Sequence, residues 1–373
     1  MNAAMSSSAP GAKRIPLDWQ ALPARTFVDD EGIRREWDAL NAGAGDIPVL
    51  ASNMVAVAIM SLGCGKERLF VGRRGQAVVA MAVLTPRSRV HWASFQPSQM
   101  PLGALVAASG EALAELGASL LRSPHLNALV VSLTQLDPQA MTRGTDAPTA
   151  RFDDYVQTAW IEVNGDFETY WAKRGKNLRQ NLRTQRNRLG ADGTSAVMRI
   201  WRDRDQMAPA LARYADLETR GWKAAQGTAI EANSEQGKFY RALLETAAGH
   251  GQAVIYESLF DSRTVAMNLC VHRGGALVIL KTTYDESLKP LSPATLLLEE
   301  QMRHFFASGE FRRIEYYGRL WEWQTKWIHS NRTLFHATVY RWPILRKFAE
   351  WRRRQAVSGA AAAPAPQIEP ATP

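Results

Sequence analysis

Between residues 276 and 301 the chain reads ALVILKTTYDESLKPLSPATLLLEEQ, and the chemistry of its side chains changes twice. The first five residues are apolar and follow the turn Arg273-Gly274-Gly275, which predicts a short strand buried on both faces. Lys281-Thr282-Thr283-Tyr284-Asp285-Glu286 follow, and every one of these side chains can hydrogen-bond. Ser292-Pro293-Ala294 then opens a helix, because Ser is a good cap and Pro at the first helical position gives up an amide that had no partner anyway. The expected free amides are those of Ala294, Thr295 and Leu296, and together with the positive end of the helix dipole they suit a phosphate. Glu218 is the other singular carboxylate. It ends a helix expected over residues 207–220, where the dipole disfavours negative charge, so it calls for a cation such as Arg220 or Lys223. It reads first as a structural ion pair, with an acceptor-site carboxylate or general base as the functional alternative.

Other chemistries lack their residues. There is no Gly-x-Ser-x-Gly, and the seven histidines are scattered without a metal-like His-x3-His spacing. Cys64 and Cys270 supply neither a disulfide framework nor a metal set, and no metal is expected. Cys270 reads as core, and His304 as a packed or solvent-facing helix residue. Gly63-Cys64-Gly65-Lys66 looks like the end of a P-loop, but the first Gly is missing and Glu67 replaces the Ser or Thr that would hold magnesium.

A chain of 373 residues favours two domains, and 46% hydrophobic with 22% charged residues is ordinary for a globular protein. Residues 1–25 read as a polar arm. Ile33, Trp37 and Leu40 predict a helix behind Asp30; residues 67–86 read as a hairpin turned at Arg73-Arg74-Gly75; Leu113, Leu116 and Leu120 mark a helix face. A strand and a linker over residues 138–150 complete the first half. The second half begins with a strand at 160–163 and one long helix behind Asp166. Helices over 207–220 and 235–249 precede strands over 253–259, 265–272 and 276–283. Behind the Ser292 helix come a strand over 313–317, a break at Gly318, a Trp-rich helix over 320–328 and a strand over 334–340 that closes the sheet. Residues 347–354 are a basic helix end, and 358–373 an Ala/Pro tail without core-forming residues.

At Tyr284-Asp285, Ser292-Pro293, Leu296-Leu297, Gly318 and Lys326-Trp327 the sequence resembles the CelD/BcsL-type acyltransferases, a branch of the GNAT acetyltransferase superfamily related to the FemAB transferases. The likeness covers residues 153–340 and, more faintly, the N-terminal half. Glu218, Trp222-Lys223 and Gly227 resemble the family's Trp-Lys-x3-Gly signature, whereas Ala294 stands where the family is expected to have Gly. The resemblance implies an α+β sandwich, with a GNAT-like mixed, mostly antiparallel sheet flanked by helices in two tandem halves. The chain would divide into a flexible arm (1–25), a degenerate half (26–150), the acyltransferase domain (151–345) and a basic helix end with a disordered tail (346–373). It implies acetyl-CoA or another acyl-CoA, or an acyl carrier protein, as donor. Lys281, Ser292, Ala294, Thr295 and Leu296 would hold the donor. Asp285 would be the leading general base with Glu218 second, and Tyr284 the leaving-group acid or carbonyl donor. Trp222, Lys223, Lys326, Arg179 and Arg183 would meet the acceptor. Asp285 is equally a residue favoured in the turn after a strand.

The net charge of +9 points to anionic partners: CoA phosphates, nucleic acid or an acidic membrane surface. Seven basic residues and no acidic one lie between Lys173 and Arg188, with Trp171, Leu178, Leu182 and Leu189 as an apolar stripe. This helix reads as a solvated face, as a docking face for an anionic acceptor or the CoA 3′-phosphate, or as an RNA contact. The apolar runs at 54–60 and 77–84 fall far short of the ~20 residues that cross a bilayer, and the first residues lack signal-peptide order, so a cytoplasmic location is expected. Three functions stay open: acyl-CoA-dependent N- or O-acyl transfer to a polysaccharide, cell-surface or related sugar or amine acceptor; aminoacyl-tRNA-dependent transfer of FemAB type; and a non-catalytic binding module.

Overall fold

The computed structural model describes residues 15–219, 231, 234–328 and 330–361, with side chains to residue 355 in the last helix. The described part begins with β1 (Asp18–Pro23), α1 (Ala24–Asp29), α2 (Glu31–Gly43) and α3 (Ser52–Leu62). The hairpin β2 (Arg68–Arg74) and β3 (Ala77–Pro86) follows, then β4 (His91–Ser94), β5 (Leu105–Ala107), α4 (Leu113–Arg122) and β6 (Val130–Leu136). Asp30 caps α2 by accepting from the amides of Gly32 and Ile33 at 2.8 and 3.1 Å, which points Trp37 and Leu40 into the core. Leu113, Leu116 and Leu120 of α4 are all buried.

Residues 18–23 do not belong to a flexible arm. They pair along their whole length with β2, and Trp19 is buried with its indole N–H on the Ser119 hydroxyl at 2.8 Å. Gly72 on β2 makes this fit: a Cβ there would lie 2.9 Å from the Trp19 ring.

The second half comprises β7 (Ala150–Glu162), α5 (Phe167–Ala172), α6 (Lys176–Ala191), β8 (Ala196–Trp201), α7 (Arg204–Thr219), α8 (Glu235–Gly249), β9 (Ala253–Phe260), β10 (Arg263–Arg273) and β11 (Ala276–Tyr284). A 3-10 turn (Glu286–Leu291) leads into α9 (Pro293–Ser308), β12 (Arg313–Glu315), α10 (Glu322–Thr325), β13 (Ser330–Tyr340) and α11 (Pro343–Ala361). The helix behind Asp166 is two helices rather than one, parted at Arg174-Gly175, because Arg174 turns inward to donate to the Trp327 carbonyl and stacks 4.4 Å from the Tyr170 ring centre. The Trp-rich helix is a single turn, and α11 extends the basic helix end well beyond residue 354.

Among the described residues one mixed sheet runs β1-β2-β3-β4-β6-β13-β7-β12-β11-β10-β9-β8, with β5 on β3. The order reads the same from both ends. In each half three antiparallel strands lead through a crossover helix, α4 or α9, to a parallel strand, β6 or β12, bonded to the third. The strand that ends each half is exchanged: β7 lies against β12, and β13 pairs with β6 as well as β7. The strand expected to close the sheet therefore lies at its middle. A core of Phe27, Trp37, Met54, Leu211, Phe239 and Met267 joins α1–α3 of one half to α7 and α8 of the other, while α5, α6 and α9 cover the opposite face of the second half. The fold is the expected α+β sandwich of GNAT type. No described helix is long and apolar enough to cross a membrane.

Candidate functional site

Parallel strands β11 and β12 share three register pairs, Ala276 to Val278 against Arg313 to Glu315, and then part. β11 continues to Tyr284 while the chain after β12 turns away through Tyr316, Tyr317 and Gly318, with Tyr317 at φ 50°. A cavity of about 630 Å³ occupies this fork, lined by residues 279–284 on one side and by Tyr316, Gly318 and Arg319 on the other. The first half holds the same fork: β4 and β6 also share three pairs. There it is filled. Gly103 donates to the Gln135 carbonyl and Ala104 to the Phe95 carbonyl, so residues 103–104 wedge between the diverging strands. A Cβ on Gly103 would stand 2.3 Å from the Thr134 oxygen. One fork is closed by backbone and the other is open, which places the candidate site in the second half.

Glu218, Lys281, Tyr284, Ser292, Ala294, Thr295 and Lys326, drawn from three separate stretches of sequence, all line the open cavity. Glu218 is buried at the end of α7, where the Tyr214 hydroxyl donates to it at 3.1 Å. The Lys281 ammonium sits 5.6 Å from the Tyr240 ring centre. Among the described residues four cationic side chains (Lys281, Lys289, Arg319, Lys326) and two carboxylates (Glu218, Glu286) line the cavity, a balance that favours an anionic ligand.

The start of α9 differs from expectation. Ser292 caps through its backbone in the left-handed region, φ 52°, and makes no side-chain cap hydrogen bond. The amides of Thr295 and Leu296 both donate to the Ser292 carbonyl at 3.0 Å, so of the three amides expected to face a phosphate only that of Ala294 is not turned to this carbonyl. Leu296 is buried in the core and does not line the cavity. Positive charge near the helix start therefore comes chiefly from side chains.

Asp285 does not line the cavity. Its carboxylate caps the 3-10 turn by accepting from the Ser287 amide at 3.0 Å and the Ser287 hydroxyl at 2.6 Å, and it pairs with Arg263. Burial alone would raise its pKa, but these hydrogen bonds and the guanidinium hold it below the usual carboxylate range. A depressed native pKa gives stability that is present above the unfolded Asp range and lost as pH falls through the native value. Asp285→Asn should accordingly flatten the acid limb of a urea-midpoint profile against pH, and an unchanged limb would show that the pair does not contribute there.

Arg179 and Arg183 are exposed on α6 and do not line the cavity, whereas Arg186 bridges to Glu299 and Glu300 of α9 at 3.1 and 3.4 Å. Trp222 and Lys223 lie outside the described residues. Sequence reasoning passed over Asn181, Asn268, Glu286, Tyr316, Trp321 and Gln324, which also line the cavity. The Tyr316 hydroxyl is buried with no hydrogen-bond partner among the described residues, and burial pushes its pKa up. Burial and the charge of Glu286 also raise that of Tyr284. A Tyr-Tyr pair at the end of an expected strand, directly before the break at Gly318, was the available signal for Tyr316. At the vertex of the fork, Arg332 of β13 holds Asp137 through two bonds of 2.8 and 2.6 Å and meets Glu315 at 3.0 Å. Among the described residues no group of three or more His, Cys, Asp or Glu could hold a metal ion.

Residues 176–325 match the model of the acetyltransferase (GNAT) domain, a span that contains α6, the fork, α9 and most of the cavity lining. No curated protein matches the chain by sequence. Among solved structures, the C-terminal DUF2156 domain of a protein assigned as a lysylphosphatidylglycerol synthetase of Agrobacterium fabrum superposes with a TM-score of 0.52 at 12% identity, over 82% of this chain and 92% of that one. FemX superposes with a TM-score of 0.55 at 9% identity, over 84% and 97%. At these identities the likeness is one of fold.

Proposed function

We propose that this chain is a GNAT-type acyltransferase that takes an acyl group from the thioester of CoA, or of a pantetheine-bearing carrier protein, and passes it to an amine or hydroxyl in the same cavity. One observation carries the reading: the parallel pair β11/β12 opens after three residues into a cation-lined cavity at the start of the crossover helix. Among the described residues the edge of β11 that faces away from β10 pairs with β12 only as far as Val278, and beyond it this edge turns toward the cavity, where a thioester arm would run alongside the strand. Lys281, Lys289 and Lys326, with the Ala294 amide and the first turn at Thr295, suit the pyrophosphate. Glu218 takes the proton as the acceptor attacks the carbonyl, the C–S bond breaks, and the leaving sulfur is protonated by Tyr316 or Tyr284. Trp321 and Trp323, 57% and 42% exposed at the rim, offer flat faces for a sugar ring, in keeping with a polysaccharide or cell-surface acceptor.

A second reading, an aminoacyl-tRNA donor, draws on the exposed Arg179, Arg183 and Arg188 of α6. Calorimetric titration with acetyl-CoA and with bulk tRNA at two salt concentrations separates the two. Saturable acetyl-CoA binding is expected, and Ala294→Glu should weaken it about a hundredfold, since like charges about 5 Å apart at an effective dielectric of about 20 repel by roughly 3 kcal/mol. Intact binding in that variant would move the donor away from α9. Tight tRNA binding without CoA binding would select the second reading, and no binding of either would leave a module without donor chemistry.

A further inference from the structure

The last helix carries a surface that the acyl-transfer reading does not use. α11 presents Ile344, Phe348 and Trp351 at 67%, 55% and 54% exposure, spaced four and three residues apart and so on one side of the helix. Phe348 and Trp351 stack with ring centres 5.8 Å apart. Trp342, 51% exposed, immediately precedes the helix. At helical spacing Lys347 and Arg354 flank this ridge on one side and Arg352 on the other, and none of the three forms a salt bridge with a described residue.

The opposite side of α11 is fastened to the body. Arg346 pairs with Asp146 at 2.8 Å and Glu350 at 2.7 Å and donates to the Ala147 and Ala150 carbonyls, while Arg353 pairs with Asp153 at 3.2 Å. The helix is therefore held in one orientation with its apolar ridge outward. Residues 343–355 carry five cations against one carboxylate, a net of four positive charges within the chain's total of +9.

We infer that α11 is an interfacial anchor, its aromatic ridge entering the headgroup region of a membrane while Lys347, Arg352 and Arg354 meet anionic lipid phosphates. Ring-bearing apolar side chains bounded on both sides by unneutralised cations are what a negatively charged bilayer surface complements. A second copy of the chain complements it poorly. Packing two such ridges together would set the cations of one helix against the same cations of the other.

The test uses the full chain and flotation with vesicles, either of phosphatidylcholine alone or of phosphatidylcholine and phosphatidylglycerol in equal parts. Binding to the anionic vesicles, weakened by salt and nearly absent on neutral ones, is the expected result. Lys347→Gln/Arg352→Gln/Arg354→Gln should bind about a hundredfold more weakly, taking about 1 kcal/mol for each cation at such a surface. Phe348→Ser/Trp351→Ser should lose binding with the charges intact, and an unchanged melting temperature in both variants confirms that the body is folded. Failure of the native chain to float with anionic vesicles overturns the inference, as does equal binding by the two variants. A concentration-dependent dimer abolished by Phe348→Ser/Trp351→Ser, without lipid binding, would assign the ridge to a second copy instead.

Discussion

Glu218→Gln is expected to lower kcat by about 10²–10⁴-fold, the usual contribution of a positioned proton acceptor, while the donor dissociation constant stays within about twofold, since Gln removes only the charge and the basic oxygen. The replacement is close to isosteric, and its amide oxygen still accepts the Tyr214 hydroxyl bond now at 3.1 Å. On the proposed reading the donor contacts are Lys281, Lys289, Lys326 and the start of α9, which line the cavity apart from Glu218, so titration with acetyl-CoA reports them separately from turnover. Thiol release with a saturating acceptor gives kcat. A fall in kcat with unchanged donor binding identifies an interaction used in the chemical step. Unchanged turnover would reduce Glu218 to a structural partner of the buried tyrosines and direct attention to Glu286, the other carboxylate on the cavity wall. Asp285, the stronger candidate on sequence grounds, is occupied as a cap and ion-pair partner and has no such route to the acceptor.

What could be read from the sequence follows the range of the forces involved. The hairpins β2/β3 and β9/β10/β11, the caps at Asp30 and Asp166 and the helix behind Pro293 depend on neighbours within a few residues, and each stands where apolar periodicity and turn residues put it. Lys281, Tyr284, Ala294 and Lys326, named as candidates from the sequence, line one cavity, whereas Asp285 and Leu296, named with them, do not. Distant partners decided the rest. Trp19 makes a strand of six weakly patterned residues only because Gly72 lacks a side chain, and β13 is central because its partners lie in β6 and β7, well over a hundred residues earlier. The helix that periodicity would continue is broken between Ala172 and Lys176, where Arg174 is drawn inward by the Trp327 carbonyl and Gly175 caps the next helix. Asp285 and Ser292 show the limit for site residues: side-chain type predicts the ability to cap or to catalyse, and the nearest donor decides which.

Arg332→Met should cost about 3–5 kcal/mol of stability, the loss expected when one member of a buried ion network is removed and its partners are left behind. The side chains of Arg332, Asp137 and Glu315 are 6%, 3% and 3% exposed, so water cannot take over the guanidinium's role. Trp160 and Tyr317 pack against the guanidinium, their ring centres 5.0 and 5.1 Å away, and would lose that cation as well. The network also joins the exchanged strands, since Asp137 follows β6 of the first half, Arg332 lies on β13 and Glu315 ends β12 at the vertex of the fork. Burial pushes the Glu315 carboxyl up to about 7 even with Arg332 and Arg313 beside it. A raised native pKa means that the folded state keeps a proton the unfolded state releases, so this group's contribution is full below the unfolded value of 4.5 and lost as pH rises through about 7. With the Arg332 cation gone the native pKa rises further, and the deficit of the variant should be smaller at pH 5 than at pH 8. Urea midpoints of the two proteins at both pH values test this. Adding Asp137→Leu and Glu315→Leu to the variant should recover much of the loss, because an apolar replacement of a buried network is often near neutral. Equal midpoints for Arg332→Met and the native chain would mean that β13 is held between the halves by its ladder and core contacts alone. A deficit restored by the triple variant would place the loss in the stranded carboxylates at the fork from which the cavity opens.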